Sequence, residues 1–486
     1  MISNDEKSNF GIIYTPINFA EQILDIIPNN IFKTNIKCLD VGSGTGNFSK
    51  ILLKKFLQNL NFERENNESD QNFLLRKTSY IIENNIAMID INSKHINILK
   101  EEFGNNANII YDDFLNWENN FFLSNNKFDL IVGNPPYNIN GKIKTPTTSN
   151  ATSKKNDGIT IYPKFIENSL ELLNINGLLC FIIPIIWLKP DKYNLYYTLT
   201  NYKILKLHIL SNFESNKYFN YNCQTPTCYF LLQKTISNDN TNINNTNINN
   251  INKIINIYDK FERKYIEYIL YNNYPIPIHG INIVNKMINL TKKYGCLKII
   301  KTNLPSNNIT ISNNKSTTNS YCNIKSCIKN KINTNKTNTN KTNAKVFDIN
   351  NYELVLNYSN KPAPYYNIPK IVMAHKVYGI PFLDISGLYG ITTRDNYIVK
   401  DYTINELEFL KYFLSSKTAM FIYSTTRYRM QYLEKYCFEF ILDILKYCRE
   451  KKININKIKN NIDELLYYIL EFSELEIETI ESKYSL

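Results

Sequence analysis

Four consecutive residues, Asn134-Pro135-Pro136-Tyr137, follow the apolar run FDLIVG (128–133) and carry the most specific chemistry in the chain. An amino group conjugated to an aromatic ring or a carbonyl is a poor nucleophile, because its lone pair is delocalised. The Asn134 side-chain oxygen and the Pro135 backbone carbonyl can each accept one of its two N–H bonds, favouring a tetrahedral nitrogen with a localised lone pair. Pro135 and Pro136 stiffen the turn, so both acceptors are in place before reaction. Tyr137 can stack on a planar substrate. No deprotonating base is needed before transfer to an electrophile. The competing reading is a Pro-Pro turn that only closes a buried strand.

An electrophile must be held beside such acceptors, and the residues upstream suggest how. Asp40-Val41-Gly42-Ser43-Gly44-Thr45-Gly46 lies between an apolar run and a helical pattern, where Gly42, Gly44 and Gly46 let the backbone turn tightly and approach a ligand. A glycine-rich turn alone serves NAD, FAD, S-adenosylmethionine or merely a tight loop. The leading Asp40 and the D-x-G-x-G-x-G spacing favour S-adenosylmethionine. Asp90 ends the next apolar run, AMIDI, where a carboxylate can accept both ribose hydroxyls; a solvated strand-end Asp is the alternative. Asp113-Phe114 could take an adenine amino group and pack on its ring, with Asp112 as an adjacent competitor. Tyr14-Thr15-Pro16 opens a helical stripe (Ile17, Phe19, Ala20, Ile23, Leu24, Ile27) that Thr15 can cap, and it stands where it could close a cofactor pocket.

The elements that must position these residues alternate. KCLDV, NIAMIDI, NIIY, FDLIVG and LLCFIIP read as strands, and NFSKILLKKFLQNL, the segment from Ser93 and YPKFIENSLELLN read as helices. The pattern predicts an α/β fold, a Rossmann-like parallel sheet covered on both faces, interrupted by polar surface loops at 61–79 and 138–158. An Asn-rich stretch around 237–253 and another around 305–345 read as linker or loop. Mixed apolar and aromatic content returns from 346 as a second folded unit, and the tail beyond 450 is helical in pattern and acidic toward its end.

The 486 residues carry a net charge of +12. Residues 268–347 contain twelve Lys and no Asp, Glu or Arg, so this segment alone accounts for the excess. A concentrated basic region suggests a polyanionic partner; for 305–345 the competing reading is a solvated loop biased toward Lys. No apolar run is long enough for a membrane helix and the start of the chain has no signal-peptide core, so an intracellular protein is expected. Nine Cys and four His without zinc spacing predict reduced thiols and no metal site.

In this order, Tyr14-Thr15-Pro16, Asp40–Gly46, Asp90, Asp113-Phe114 and Asn134–Tyr137 resemble the gamma-class N6-adenine DNA methyltransferases of restriction–modification systems (TaqI-like). The resemblance extends through NGLLCFIIPIIWL (176–188) to KYFNYNCQTPTCYFLLQK (217–234), where it implies that Phe219 contacts an extruded base. A fainter similarity over 365–440 makes Lys376, Arg394, Arg427 and Arg429 candidate DNA contacts; ordinary solvated basic residues are the alternative. The resemblance implies an S-adenosylmethionine-dependent methyltransferase sheet with a separate C-terminal target-recognition domain. The catalytic domain would span 1–234, an Asn-rich linker 235–254, the recognition domain 255–450, and a helical acidic tail 451–486. It implies a flipped adenine in double-stranded DNA as acceptor, a monomer, and a separate cognate restriction endonuclease as a second partner. The same NPPY chemistry serves RNA adenine N6-methyltransferases and protein-glutamine N5-methyltransferases, which stay open as alternatives.

Overall fold

The computed structural model describes residues 13–139, 159–236, 253–329, 352–375, 380–394, 396–428 and 432–484. They divide into two compact units, residues 1–258 with 264–273 and residues 259–263 with 274–486.

The first unit is built on a 9-stranded sheet. Its strands are β1 (Cys38–Val41), β2 (Ile86–Asp90), β3 (Asn108–Tyr111), β4 (Phe128–Gly133), β5 (Leu173–Pro184), β6 (Lys203–Leu210), β7 (Thr227–Gln233), β8 (Lys253–Asp259) and β9 (Lys264–Leu270). The order across the sheet is β9-β8-β6-β7-β5-β4-β1-β2-β3. The strands β1 to β5 pair in parallel, and β7 runs antiparallel to both β5 and β6. This strand order, with β7 reversed, makes an open, doubly wound sheet. β1 and β2 are buried along their whole length, as strands covered on both faces must be. The chain leaves β1 toward β3 and returns on the other side as β4, which opens a crevice at the carboxyl ends of β1, β2 and β4.

The polar insertion expected to be loop at 61–79 is in part helix. With α1 as Ile17–Leu24 and α2 as Asn47–Asn59, α3 runs from Asp70 to Asn84, capped by Ser69 accepting from the Asn72 amide. The Lys77 ammonium donates to the carbonyls of Leu57 and Leu60, satisfying the C-terminal end of α2. Phe62 packs against Phe73 and Tyr80 under the Arg76 guanidinium. Exposed Leu74 and Leu75 and the buried Lys77 blur the helical period of α3 in the sequence.

The sheet also runs on past residue 234, where the sequence reading ends the catalytic domain. β8 and β9 extend it, and the His208 ring stacks between Tyr229 on β7 (4.6 Å) and Tyr258 on β8 (4.4 Å). The Asn-rich residues 237–252 lie outside the described residues.

The second unit contains two 4-stranded sheets and a set of helices. One sheet pairs Lys370–Ala374 with Pro381–Asp384 and Asn396–Lys400. Its buried Lys370 ammonium meets the Asp384 carboxylate at 2.5 Å, and Asp384 also accepts from the amides of Leu388 and Tyr389. In the other sheet, Tyr321–Lys329 pairs antiparallel with Tyr352–Ser359. Part of the stretch 305–345 expected to be loop is therefore strand: the alternation in YCNIKSCIK finds its partner across residues 330–351, which lie outside the described residues. The tail forms the helices Ile455–Ile458, Ile462–Ile469 and Glu474–Tyr484. No described helix is long and apolar enough to cross a membrane.

Gly133 ends β4 where a Cβ would come within 2.5 Å of the Val41 carbonyl oxygen. Gly133→Ala must therefore push β4 away from β1 and is expected to destabilise the first unit by roughly 2–4 kcal/mol. A thermal or urea melt checks this, and an unchanged midpoint would contradict the close approach.

Candidate active site

The crevice holds a cleft of about 900 Å³ lined by residues from Ile13–Thr15, the glycine loop, the β2 end, Asp112–Phe114 and Asn134–Tyr137.

Its cofactor side starts at the loop after β1. Gly42, Ser43 and Gly44 line the cleft. The Ser43 amide donates to the Ile89 carbonyl (3.0 Å), tying the loop to β2. Gly46 does not line the cleft; its φ of +78°, and contacts of 2.8 Å and 2.9 Å that a Cβ would make with Phe103 and Leu99, show that it lets α2 pack against α4 (Ser93–Phe103). Asp40, expected to bind cofactor, turns inward instead. It is fully buried, and its Oδ2 accepts from the Ser49 amide (3.1 Å) and hydroxyl (2.7 Å), fastening the first turn of α2 to β1. Burial pushes its carboxyl up to about 7 against the pull of those two donors.

Asp90 is where sequence and cleft agree. It lies at the β2 end and lines the cleft, but its carboxylate is already engaged. Oδ2 accepts from the Gly44 amide (2.8 Å), and Oδ1 meets the Asn92 amide (2.8 Å) and His95 Nδ1 (3.0 Å). One in-plane lone pair is left, on Oδ2, so in that plane Asp90 can take one ribose hydroxyl and not the expected two. His95, which the sequence reading missed, reaches on through Nε2 to the Tyr14 hydroxyl at 2.7 Å. Its signal was local: Asn92 caps α4 through the Lys94 amide, and His95 follows on the first turn, facing back to Asp90. Ile91, 48% exposed beside Asp90, offers an apolar surface at the cleft.

Asp112 and Asp113 both line the cleft. Asp113 caps the turn that follows, accepting from the Leu115 amide (2.9 Å), and Asp112 accepts from Asn120 (2.7 Å). Phe114 is buried against Phe165, their centroids 5.4 Å apart, and its carbonyl accepts from Asn168.

The acceptor side is built around Asn134. Its amide nitrogen donates to the Ile13 carbonyl (2.9 Å) and to Thr15 Oγ1 (3.2 Å). Only an NH2 group can bond a carbonyl, so this fixes which way the amide faces. Oδ1 is then left buried with no partner among the described residues. Thr15 thus serves Asn134 rather than capping α1; that helix starts with Pro16 at its cap and no side-chain cap, and Pro16 does not line the cleft. The Thr15 carbonyl accepts from Asn47 Nδ2 (2.8 Å). Pro135, Pro136 and Tyr137 follow along the cleft wall. Tyr137 is 8% exposed, edge-on to Tyr162, and its hydroxyl also lacks a described partner; burial raises its pKa.

Phe219 is not brought to the cleft. It is 1% exposed and packs edge-on against Phe19, 5.3 Å between centroids. In the second unit Arg394 is exposed, and Arg427 is half-buried and already engaged. Lys376 and Arg429 lie outside the described residues.

Fold and site together define a class I S-adenosylmethionine-dependent methyltransferase domain. Residues 29–219 match the family model of the Eco57I restriction-modification methylase. Relatives of known name match shorter stretches. The type II methyltransferase M.TthHB8I of Thermus thermophilus is 38% identical over 97 residues, covering 17% of this chain and 21% of its own. M.AccI of Acinetobacter calcoaceticus, also a type II methyltransferase, is 27% identical over 226 residues (44% and 35%). The tRNA1(Val) (adenine(37)-N6)-methyltransferase of Bacteroides thetaiotaomicron is 25% identical over 148 residues (30% and 52%). The matches thus span from a fifth to about half of these relatives' lengths. The residues present suit S-adenosylmethionine: the glycine loop leaves the backbone bare, and Asp90 keeps one acceptor position for a sugar hydroxyl.

Asp40 gives the domain a pH signature. The folded carboxyl titrates near 7 and the unfolded one near 4, so between those values the folded state binds the extra proton. Its contribution to stability is therefore lost as pH rises from about 4 to about 7. Asp40→Asn, neutral throughout, should flatten that fall in melting temperature relative to the wild type. Parallel pH profiles for the two proteins would contradict the assignment.

Proposed function

We propose that the chain is a site-specific DNA methyltransferase that transfers the methyl of S-adenosylmethionine to the N6 amino group of an adenine flipped out of double-stranded DNA. One observation carries this reading: the Asn134 carbonyl oxygen is held buried and unpartnered in the cleft while its amide nitrogen is fully committed to Ile13 and Thr15. An orphaned acceptor costs about 1–3 kcal/mol, and a substrate N–H returns that cost.

The cofactor, when bound, supplies an electrophilic methyl on a sulfonium. The chain's residues do the rest. Gly42, Gly44 and Asp90 hold the nucleoside end. Asn134 Oδ1 and the Pro135 carbonyl each accept one amino N–H, so the nitrogen lone pair points at the methyl. Tyr137 stacks on the base, at a site where extrusion costs a few kcal/mol. The bound cofactor would give its methyl to that nitrogen and keep the sulfur–carbon electron pair as a neutral thioether, while the displaced amino proton would go to solvent. Exposed cations of the second unit, Arg394 among them, would hold phosphates and make affinity steeply salt-dependent. We take the working form to be an intracellular monomer, with a separate cognate endonuclease as its partner in restriction–modification.

RNA adenine is the second reading, favoured by the tRNA-modifying relative. DNA stands ahead because two relatives are named type II methyltransferases and the matched family is one of restriction-modification methylases.

Asn134→Ala should lower single-turnover methylation of duplex DNA by at least roughly a hundredfold while cofactor binding stays near the wild-type value. Radiolabelled methyl transfer to duplex DNA and to structured RNA, followed by nucleoside analysis, checks both acceptor and position. Transfer to RNA alone, to cytosine, or undiminished transfer by Asn134→Ala would overturn the proposal.

A further inference from the structure

His95 is buried in the cleft wall, 3% exposed, with both ring nitrogens aimed at groups of the site. A carboxylate only accepts, so the neutral ring satisfies both neighbours in one arrangement: Nδ1–H donates to Asp90, and Nε2 accepts from the Tyr14 hydroxyl. Tyr14 belongs to a three-residue segment tied down at every position. Ile13 and Thr15 hold the Asn134 amide, and the Thr15 carbonyl takes Asn47 from the start of α2. The Tyr14 ring lies 3.5 Å from where a Gly44 Cβ would stand, against the glycine loop. A single hydrogen-bonded chain therefore runs from Asp90, through His95 and Tyr14, to the segment that aims Asn134.

We propose that His95 is a positioning residue that latches the segment Ile13–Thr15 onto Asp90, so that cofactor binding and the aim of the Asn134 acceptor are set together. The inference rests on the methyltransferase reading of the cleft and adds a specific residue to it. A ligand hydroxyl on the open Oδ2 lone pair stiffens Asp90, and the latch passes that order to Tyr14. In return, a fastened Tyr14 holds the segment closed against the glycine loop. Neither Asp90 nor Asn134 touches the other directly in the described contacts, and the latch supplies the connection.

Two substitutions cut the His95–Tyr14 bond from opposite sides. His95→Asn keeps a donor where Nδ1 stands and loses the reach to Tyr14; Tyr14→Phe removes the same bond from the other side. Binding of S-adenosylhomocysteine to the full chain, measured by calorimetry, should weaken roughly tenfold in each variant, and no further in the double variant, because both cut one link. At saturating S-adenosylmethionine the single-turnover methylation rate should also fall in both. A purely structural role would lower melting temperature and leave affinity unchanged. Wild-type affinity in Tyr14→Phe and His95→Asn, or losses that add in the double variant, would overturn the latch. Absence of S-adenosylhomocysteine binding by the wild type would instead overturn the cofactor reading beneath it.

Discussion

The amide of Asn134 faces one way only, and the rest of the site depends on that constraint. Two acceptors from an upstream segment, the Ile13 carbonyl and the Thr15 hydroxyl, consume both of its N–H donors. The oxygen is left in a buried position where an unmade hydrogen bond is costly. Native interiors rarely tolerate such an atom without a use for it. In the function we propose the use is chemical: a fixed carbonyl beside the cleft is the group needed to localise the lone pair of a conjugated amine. The stiffness of Pro135 and Pro136 and the close approach of β4 to β1 at Gly133 hold that oxygen against the sheet.

Two carboxylates at neighbouring strand ends show how burial assigns roles. Asp40, next to last in β1, and Asp90, last in β2, lie on adjacent parallel strands. Asp40 faces α2, loses water entirely and becomes a fastener whose own ionisation is suppressed. Asp90 faces the cleft, collects the Gly44 and Asn92 amides, and retains an acceptor position. The glycine loop is thereby gripped from both sides: by Asp90 at Gly44, and by Asp40 through the first turn of the helix that the loop introduces.

How much of this was legible in the sequence follows from the range of the interactions. The apolar runs, the glycine turn, Asp90 and Asn134–Tyr137 are local patterns with a chemical reason for their spacing, and the structure brings them around one cleft. Thr15 and Asp40 are legible only as members of a local motif, and Phe219 only through the family resemblance. Their partners, Asn134, Ser49 and Phe19, are brought to them by tertiary packing, so which way each side chain turns is not written in the local pattern. The α3 helix was concealed because Leu74 and Leu75 point to solvent, blurring its apolar stripe. The strands β8 and β9 read as part of the following domain because an Asn-rich stretch precedes them; what joins them to the sheet is long-range, the parallel pairing of β8 with β6 at Ile257 and Leu207 and the stack of Tyr229, His208 and Tyr258.

The most direct measurement is a structure of the chain with a non-reactive S-adenosylmethionine analogue and a DNA duplex carrying its target adenine. The account predicts the extruded adenine amino nitrogen within hydrogen-bonding distance of both Asn134 Oδ1 and the Pro135 carbonyl, in line with the sulfonium. An adenine that remains stacked in the duplex, or an amino group bonded elsewhere while Asn134 Oδ1 faces protein, would contradict it.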